Sequence, residues 1–496
     1  MYLAGIDIGT TGCKCSVYDD RGNFFMEEYE EYSIHITKEE HTIDAEVVWN
    51  GIKSVIKKIT GQIQTIEAIC VTSFGEASVL LDKYGNVLDK SHLFTDPNGQ
   101  EECDEITATV GRDYVYDHTG IAPGKMYSVC KWSWQKKQKP EIWKKVKCIC
   151  LFEDYIVYKL TGIRQIDYSL ATRTMAFDIY SLKWDSRILD AAGIDESMLS
   201  KVVPTGEKAG NMSPQVAEEL GFVNQPVIVS GCHDQIAAAI GSGVFNEKQG
   251  VDGTGTVECI TVAFAKDEKI DKMLLQKSGF AIVPYMKDLF VTYAFSYTGG
   301  ALLKWYRDKL SPLEAKEAYE SGQNPYEVYN RGISDGEPSE LLILPYFAGA
   351  GTPYMDNSAK GLIAGLTMDT SKEKIYQGIM EGCSYEMKLN LEQLQKAGIK
   401  VEKLFATGGG ANSKEWLHIK ADIYDKEVTS LEATESGTVA CILLAGVACG
   451  RFRNLKEASK VFITYKDTYF PREGVRKKYK KLFDQYKLIY PRLYAK

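Results

Sequence analysis

Met1-Tyr-Leu-Ala-Gly-Ile-Asp-Ile-Gly-Thr-Thr-Gly12 opens the chain, and its reading decides the fold. Tyr2 to Ile8 predicts a strand, Gly9-Thr10-Thr11-Gly12 a tight tip, and Cys13 to Tyr18 a return strand closed by the turn Asp19-Asp-Arg-Gly22. A tip built on glycine lets backbone N–H groups converge on a phosphate chain, with the Thr10 and Thr11 hydroxyls beside them. Asp7, two residues before Gly9, is placed to hold Mg²⁺ through water, since that ion gives up its hydration shell reluctantly. A plain hairpin turn would look the same locally, so the phosphate reading depends on what accompanies it further along the chain.

A helical pattern follows over Ala45 to Ile59, then a strand over Ala68 to Thr72 and a second hairpin, Ala77 to Leu81, turning at Lys83-Tyr-Gly-Asn86. Strands and helices alternate as far as Val227 to Gly231, the pattern of an α/β domain. Near Gly250 the opening recurs: Asp252-Gly-Thr-Gly-Thr256 leads into Val257 to Ala263 as Asp7-Ile-Gly-Thr-Thr11 leads into its own strand. A duplicated α/β architecture follows, with lobes expected at 1–243 and 244–496. The length of 496 residues, 44% of them hydrophobic, supports two cores, because single cores stop growing at roughly 250 to 300 residues.

Two further stretches carry chemistry. In Val227-Ile-Val-Ser-Gly-Cys-His-Asp-Gln235 a carboxylate ends an apolar strand just before the small-residue helix Ile236 to Gly243. There Asp234 can orient and deprotonate an attacking hydroxyl, although capping that helix is the plainer use of the same residue. In Ala406-Thr-Gly-Gly-Gly-Ala-Asn-Ser413 a strand breaks into three glycines before a helix over Lys414 to Tyr424, which suits close backbone approach to a flat base or ribose. Neither the G-x-G-x-x-G fingerprint nor the P-loop lysine is present.

Composition excludes several classes. The 67 acidic and 59 basic residues give a net charge of −8 with no basic block interleaved with aromatics, which argues against nucleic acid. The lysines of Val475-Arg-Lys-Lys-Tyr-Lys-Lys-Leu482 read as the solvated face of an amphipathic helix. The start lacks a signal peptide's basic and apolar regions, and no apolar run is long enough to span a bilayer, so a cytoplasmic protein without a membrane partner is expected. Twelve cysteines sit in apolar, strand-like company and read as buried thiols, and six scattered histidines provide no zinc framework.

These motifs, in this order and over nearly the whole chain, resemble the FGGY family of carbohydrate kinases, which belongs to the actin and Hsp70 ATPase superfamily. The resemblance implies two ribonuclease-H-like lobes that close on sugar and ATP across a cleft, with Mg²⁺ as the metal. It implies Gly9, Thr10 and Thr11 as the first phosphate loop, and Thr254 and Gly255 as the second. Gly299 and Gly300, in Thr298-Gly-Gly-Ala-Leu-Leu-Lys-Trp305, are similar to the family's glycine loop facing the nucleotide phosphates, while Gly409, Gly410 and Asn412 correspond to the adenosine site.

By the same likeness Asp234 is the catalytic base and, with Gln235, Glu76 and Asp96, contacts the substrate. Glu76 lies in a segment, Val71 to Asp82, that is similar to the polyol-binding segment of the family's glycerol kinases. Gly75, however, stands where those have an arginine, and Phe94 and Asn98 flank Asp96 where the family has tryptophan and arginine. The lost arginine argues against an acidic substrate, so a neutral sugar or polyol is expected as the small-molecule partner. An ATP-driven conformational switch and a sugar-sensing protein remain as alternatives. A homodimer is compatible with the sequence, and nothing in it fixes the oligomeric state, the substrate or the hydroxyl phosphorylated.

Overall fold

The computed structural model describes residues 1–432 and 435–494. In the first sheet Tyr2–Ile8 (β1), Gly12–Asp19 (β2) and Phe24–Glu31 (β3) form an antiparallel meander. Ala68–Ser73 (β4) adds to β1 in parallel; beyond it lie Lys208–Asn211 (β5) and Val227–His233 (β6). β6 runs parallel to β4 and β5 antiparallel to β6, so the order is β5-β6-β4-β1-β2-β3. β4 is buried at all six positions, as a continuous apolar run covered on both faces requires. The helix Asp234–Gly241 (α1) follows β6 directly.

The second sheet contains Gln249–Thr254 (β7), Glu258–Ala265 (β8), Leu289–Ser296 (β9) and Lys403–Thr407 (β10). The helix Lys414–Tyr424 (α2) then leads to Glu427–Leu431 (β11), and after the helix Ser436–Ala448 (α3) the strand Tyr465–Tyr469 (β12) completes it. This sheet has seven strands, with Val283–Pro284 at the edge outside β9, and the remaining order, β9-β8-β7-β10-β11-β12, matches the first sheet read from β3 to β5. In each, the first strand of a hairpin sits in mid-sheet, two parallel strands are added on its far side, and an antiparallel strand follows at the edge. The recurrence read around Gly250 therefore extends to the arrangement of six strands, although the antiparallel edge strand precedes the last parallel strand in the first sheet and follows it in the second.

Two compact units result: Met1–Gly243 with Ile282–Phe290 and Glu435–Ile463, and Val244–Ala281 with Val291–Thr434 and Thr464–Lys496. The chain first crosses at 243–244, but two later segments return to the first unit, so the units are not consecutive halves. The return of α3 has a physical cause. Its sequence, Ser-Gly-Thr-Val-Ala-Cys-Ile-Leu-Leu-Ala-Gly-Val-Ala, is apolar nearly all round and must be buried. Glycines open the space for it: a Cβ on Gly5 of β1 would stand 2.8 Å from the Thr438 carbonyl oxygen, and one on Gly241 of α1 only 1.8 Å from that of Ser436.

One local expectation is corrected. Ser78–Leu81 does not pair mainly across its own turn but runs antiparallel to Cys148–Leu151, leaving a single bridge from Leu81 to Val87. The turn itself forms, held by the Asp82 carboxylate on the Tyr84 and Asn86 amides. The fully buried Ser-Val-Leu-Leu segment finds a longer apolar partner in Cys148-Ile-Cys-Leu151, since after the turn only Val87 and Leu88 are apolar before Asp89 and Lys90. All twelve cysteines are free, and among the described residues no helix is long and apolar enough to cross a membrane.

Gly241→Ala drives a methyl group into the backbone of α3. It is expected to lower stability by about 3 kcal/mol, the upper end for overpacking, read as a fall in the urea unfolding midpoint.

Candidate active site

In the first unit the strand register brings the candidate groups to one edge. Ile8 pairs with Ser73 and Ser73 with His233, so β1, β4 and β6 end side by side, and ligand sites in α/β sheets form beyond such carboxyl ends. Asp7, Glu76 and Asp234 all emerge there.

The first tip separates its donors from its acceptors. The Gly9 amide closes the hairpin onto the Gly12 carbonyl at 2.9 Å, while the Tyr32 hydroxyl and amide take the Gly9 and Thr11 carbonyls at 2.6 and 3.0 Å. The Thr10 and Thr11 amides meet no protein acceptor among the described residues. The open donors are therefore those of the two threonines rather than that of Gly9. Asp7 lies opposite Lys14 in the β1/β2 ladder, and Lys14 is drawn 2.8 Å from Glu435. Burial, and next the negative charge of Asp234, push the Asp7 carboxyl up to about 7.

Asp234 is the first residue of α1, not its cap. His233 occupies the cap position and makes no side-chain capping bond. Asp234 Oδ1 lies 3.2 Å from His233 Nε2 in an alignment that makes no hydrogen bond, and 42% of the side chain is exposed. Burial among neighbouring atoms pushes its pKa up to about 6, against opposing contributions from Gln235 and Arg173. Burial, then Arg173, depress His233 to about 3, so its ring is neutral.

Glu76 has a left-handed backbone, φ 65°, a strained conformation for a non-glycine residue. Its carbonyl accepts from Ser128 Oγ at 2.6 Å, and its buried carboxylate receives Arg173 Nε at 2.7 Å and Arg173 Nη2 on the same oxygen, Oε1. The sequence reading missed Arg173. It answers the arginine thought lost at position 75: a Cβ on Gly75 would stand 2.9 Å from Arg173 Cγ, so that space is filled from another segment. The inference from a missing arginine is withdrawn, because a guanidinium is present.

Asp96 stands apart from this group. It is fully buried, with Oδ2 accepting from the His41 amide and His92 Nδ1 and Oδ1 from the Asn98 amide and Lys131 Nζ. Against the effect of burial, the His92 hydrogen bond and the other donors hold its carboxyl well below the usual carboxylate range. All its capacity in this structure goes to holding the loop before Asn98. His118 also meets two carboxylates, Asp178 and Asp185, a grouping not seen in the sequence. The other oxygens of both aspartates cap backbone amides, so this cluster ties helix and turn ends together.

In the second unit three glycine segments gather at the end of β7. Gly255 donates its amide to Val257 and its carbonyl accepts from Gly300, while the Thr256 carbonyl accepts from Gly299 and Ala301. The Thr256 amide has no protein acceptor among the described residues. A Cβ on Gly408 or Gly410 would strike Thr254 at 2.7 or 2.6 Å, so the turn Gly409–Asn412 also packs on this strand end, with Gly409 and Asn412 exposed. Thr254 itself points inward: its hydroxyl accepts from Lys420 Nζ at 2.5 Å and lies 3.3 Å from Asp252 Oδ1. Its contribution to a ligand is thus limited to the backbone.

Lys420, on α2, is a second functional residue that sequence reasoning missed. Its ammonium is buried 2.7 Å from Asp252 Oδ2 and 2.8 Å from Glu258 Oε1, with the Tyr424 hydroxyl 3.1 Å from Asp252. Burial pushes Glu258 up to about 7, while the two carboxylates hold Lys420 charged against burial.

The profile of the FGGY family of carbohydrate kinases, N-terminal domain, matches residues 2–241, and that of the C-terminal domain matches residues 254–449. The chain belongs to this family and is a carbohydrate kinase. Xylulose kinase from Bacillus subtilis is 26% identical over 99% of this chain and 96% of its own length. Gluconokinase from the same organism is 28% identical over 97% and 94%. Among solved structures, xylulose kinase from Lactobacillus acidophilus superposes with a TM-score of 0.89 at 24% identity, covering 100% of this chain and 98% of that one. That likeness establishes the fold, two actin-like ATPase domains.

Lys420→Met strands two buried carboxylates and is expected to cost about 3 to 5 kcal/mol in urea unfolding. Adding Asp252→Asn should return part of that loss, since the two substitutions act on one ion cluster.

Proposed function

We propose that this kinase transfers the γ-phosphoryl group of ATP to a hydroxyl of a small sugar or polyol, with Asp234 as general base. What supports it above all is the Asp234 carboxylate, which leads a helix from a strand end, stays partly open and has one oxygen without a hydrogen bond. A base of pKa about 6 is deprotonated at neutral pH yet retains affinity for the proton of an attacking hydroxyl.

Phosphoryl transfer depends on positioning and charge neutralisation more than on covalent help from the protein. The unpaired amides of Thr10, Thr11 and Thr256 suit phosphate oxygens, because the neighbouring carbonyls are already occupied and cannot repel them. Gly409, Gly410 and Asn412 expose backbone and one amide side chain where adenosine could lie flat. On this reading the first unit holds the sugar and the first phosphate loop, and the second holds the adenosine site.

The donor set fits Mg²⁺. Asp7 and Asp234 are like charges that raise the Asp7 pKa, which an oxygen-seeking dication would relieve, and Asp7 would hold it through water. When bound, the ion would screen phosphate charge. A cytosolic location, where ATP is supplied, accords with this function.

Asp234→Asn is expected to lower kcat about 10² to 10⁴-fold while calorimetry shows ATP still bound and the unfolding midpoint unchanged. In the wild type, kcat/KM should rise with pH through the window of about 6 to 7 as the carboxylates lose their protons. Because Asp7 and Asp234 interact, the midpoint belongs to the pair, and the limb should change form in the variant.

A further inference from the structure

Arg173 is the cation found against Glu76 among the described residues, and its position is fixed from several sides. It follows the short helix Tyr168–Thr172, whose cap Asp167 takes the Ser169 and Leu170 amides. Ser169 Oγ donates to Asp167 and accepts the His233 amide at 2.9 Å, so the segment carrying Arg173 is tied to the end of β6 beside Asp234. The guanidinium also lies over the Tyr127 ring, 5.2 Å from its centre. Its Nε and Nη2 both reach Glu76 Oε1, whereas Glu76 Oε2 takes no hydrogen bond from any described residue.

We infer that Arg173 is the positioning residue that sets acceptor specificity, holding Glu76 so that its second oxygen binds a hydroxyl, and that the enzyme acts on neutral polyhydroxy compounds and turns away aldonates. This rests on the assignment of Asp234 as base and of Glu76 to the acceptor. Charge counting carries the discrimination. Glu76, Asp234 and Asp7 supply carboxylates to this strand edge, His233 is neutral, and the guanidinium already has a carboxylate on it. An aldonate brings one more negative charge, the cation found against Glu76 among the described residues is already paired, and like-charge juxtaposition in a partly buried site is costly. A neutral diol needs only acceptors, and Glu76 Oε2 and Asp234 Oδ1 are both without hydrogen bonds. The chain's similarity to both xylulose kinase and gluconokinase leaves this choice open, and the ion pair is what weighs against the aldonate.

The test is a panel of ketopentoses, xylitol, glycerol and gluconate, assayed at saturating ATP with wild type, Arg173→Met, Arg173→Lys and Glu76→Gln. Wild type should favour a neutral compound over gluconate by about 10²-fold or more in kcat/KM, the scale of a like-charge penalty. Arg173→Met should lose at least about 30-fold with the neutral substrate, mainly through its KM, the scale of breaking a buried charge pair. The KM for ATP should stay put, and Arg173→Lys should recover part of the loss, an outcome that a purely structural role would not produce. Gluconate as the best acceptor, or an unchanged acceptor KM in Arg173→Met, overturns the inference while leaving the kinase reading intact. If Arg173→Met does not fold, the wild-type ranking and Glu76→Gln still decide. Wild type inactive on every acceptor, or Asp234→Asn fully active, would instead defeat the reading of Asp234 as base.

Discussion

Parallel pairing of β1, β4 and β6 is the constraint from which the first unit's chemistry follows. Because Ile8, Ser73 and His233 share one register, three separate segments, ending at Asp7, Glu76 and Asp234, leave the sheet at the same edge. A slip of one residue would turn each side chain to the opposite face. The register is defended by burial on both faces of β4 and by the apolar helix α3, which reaches β1 only because Gly5 carries no side chain. Stability and site geometry are thus products of the same contacts.

Duplication gave two similar sheets, and their strand-end aspartates have diverged. Lys14, opposite Asp7, is occupied with Glu27 and Glu435, and the Asp7 carboxyl is raised by burial and by Asp234. Asp252 has Lys420 directly upon it. The internal ammonium does for Asp252 what a metal would do for Asp7: it neutralises a carboxylate that could not stay charged and buried alone. A fixed cation also holds Thr254 and hence the glycine segments packed on it, whereas no such internal cation sits on Asp7 among the described residues.

What could be read without coordinates was local. The apolar strand and glycine tip of the opening, the recurrence at Asp252, and the helix at Lys414–Tyr424 all depend on neighbours within a few residues. Arg173 and Lys420 could not be read, because their carboxylate partners lie 97 and 168 residues away and each stands in a stretch that looks like ordinary helix surface. The same limit explains Asp96, whose loop resembles a binding segment while four donors already satisfy it, and Ser78–Leu81, whose partner strand comes long after its turn. Which groups of a tip remain open also depends on contacts made elsewhere, as when Tyr32 occupies the Gly9 and Thr11 carbonyls.

The placement of Asp234 sets two effects against each other, and magnitude decides. At the first position of α1 the helix dipole favours a negative charge by about 0.3 to 1 kcal/mol, less than one pKa unit at about 1.4 kcal/mol per unit. Burial nevertheless carries the carboxyl from 3.8 to about 6, so desolvation outweighs both the dipole and the opposing charge of Arg173. Had the residue been an exposed cap, the dipole would have prevailed and left a weak base. Beside His233 and Gln235 and still partly open, the carboxylate stays ionised at neutral pH while holding a proton more tightly than a free aspartate. The strand end sets its depth and the helix start its direction, and on the reading of Asp234 as general base these two together give it affinity for a hydroxyl proton.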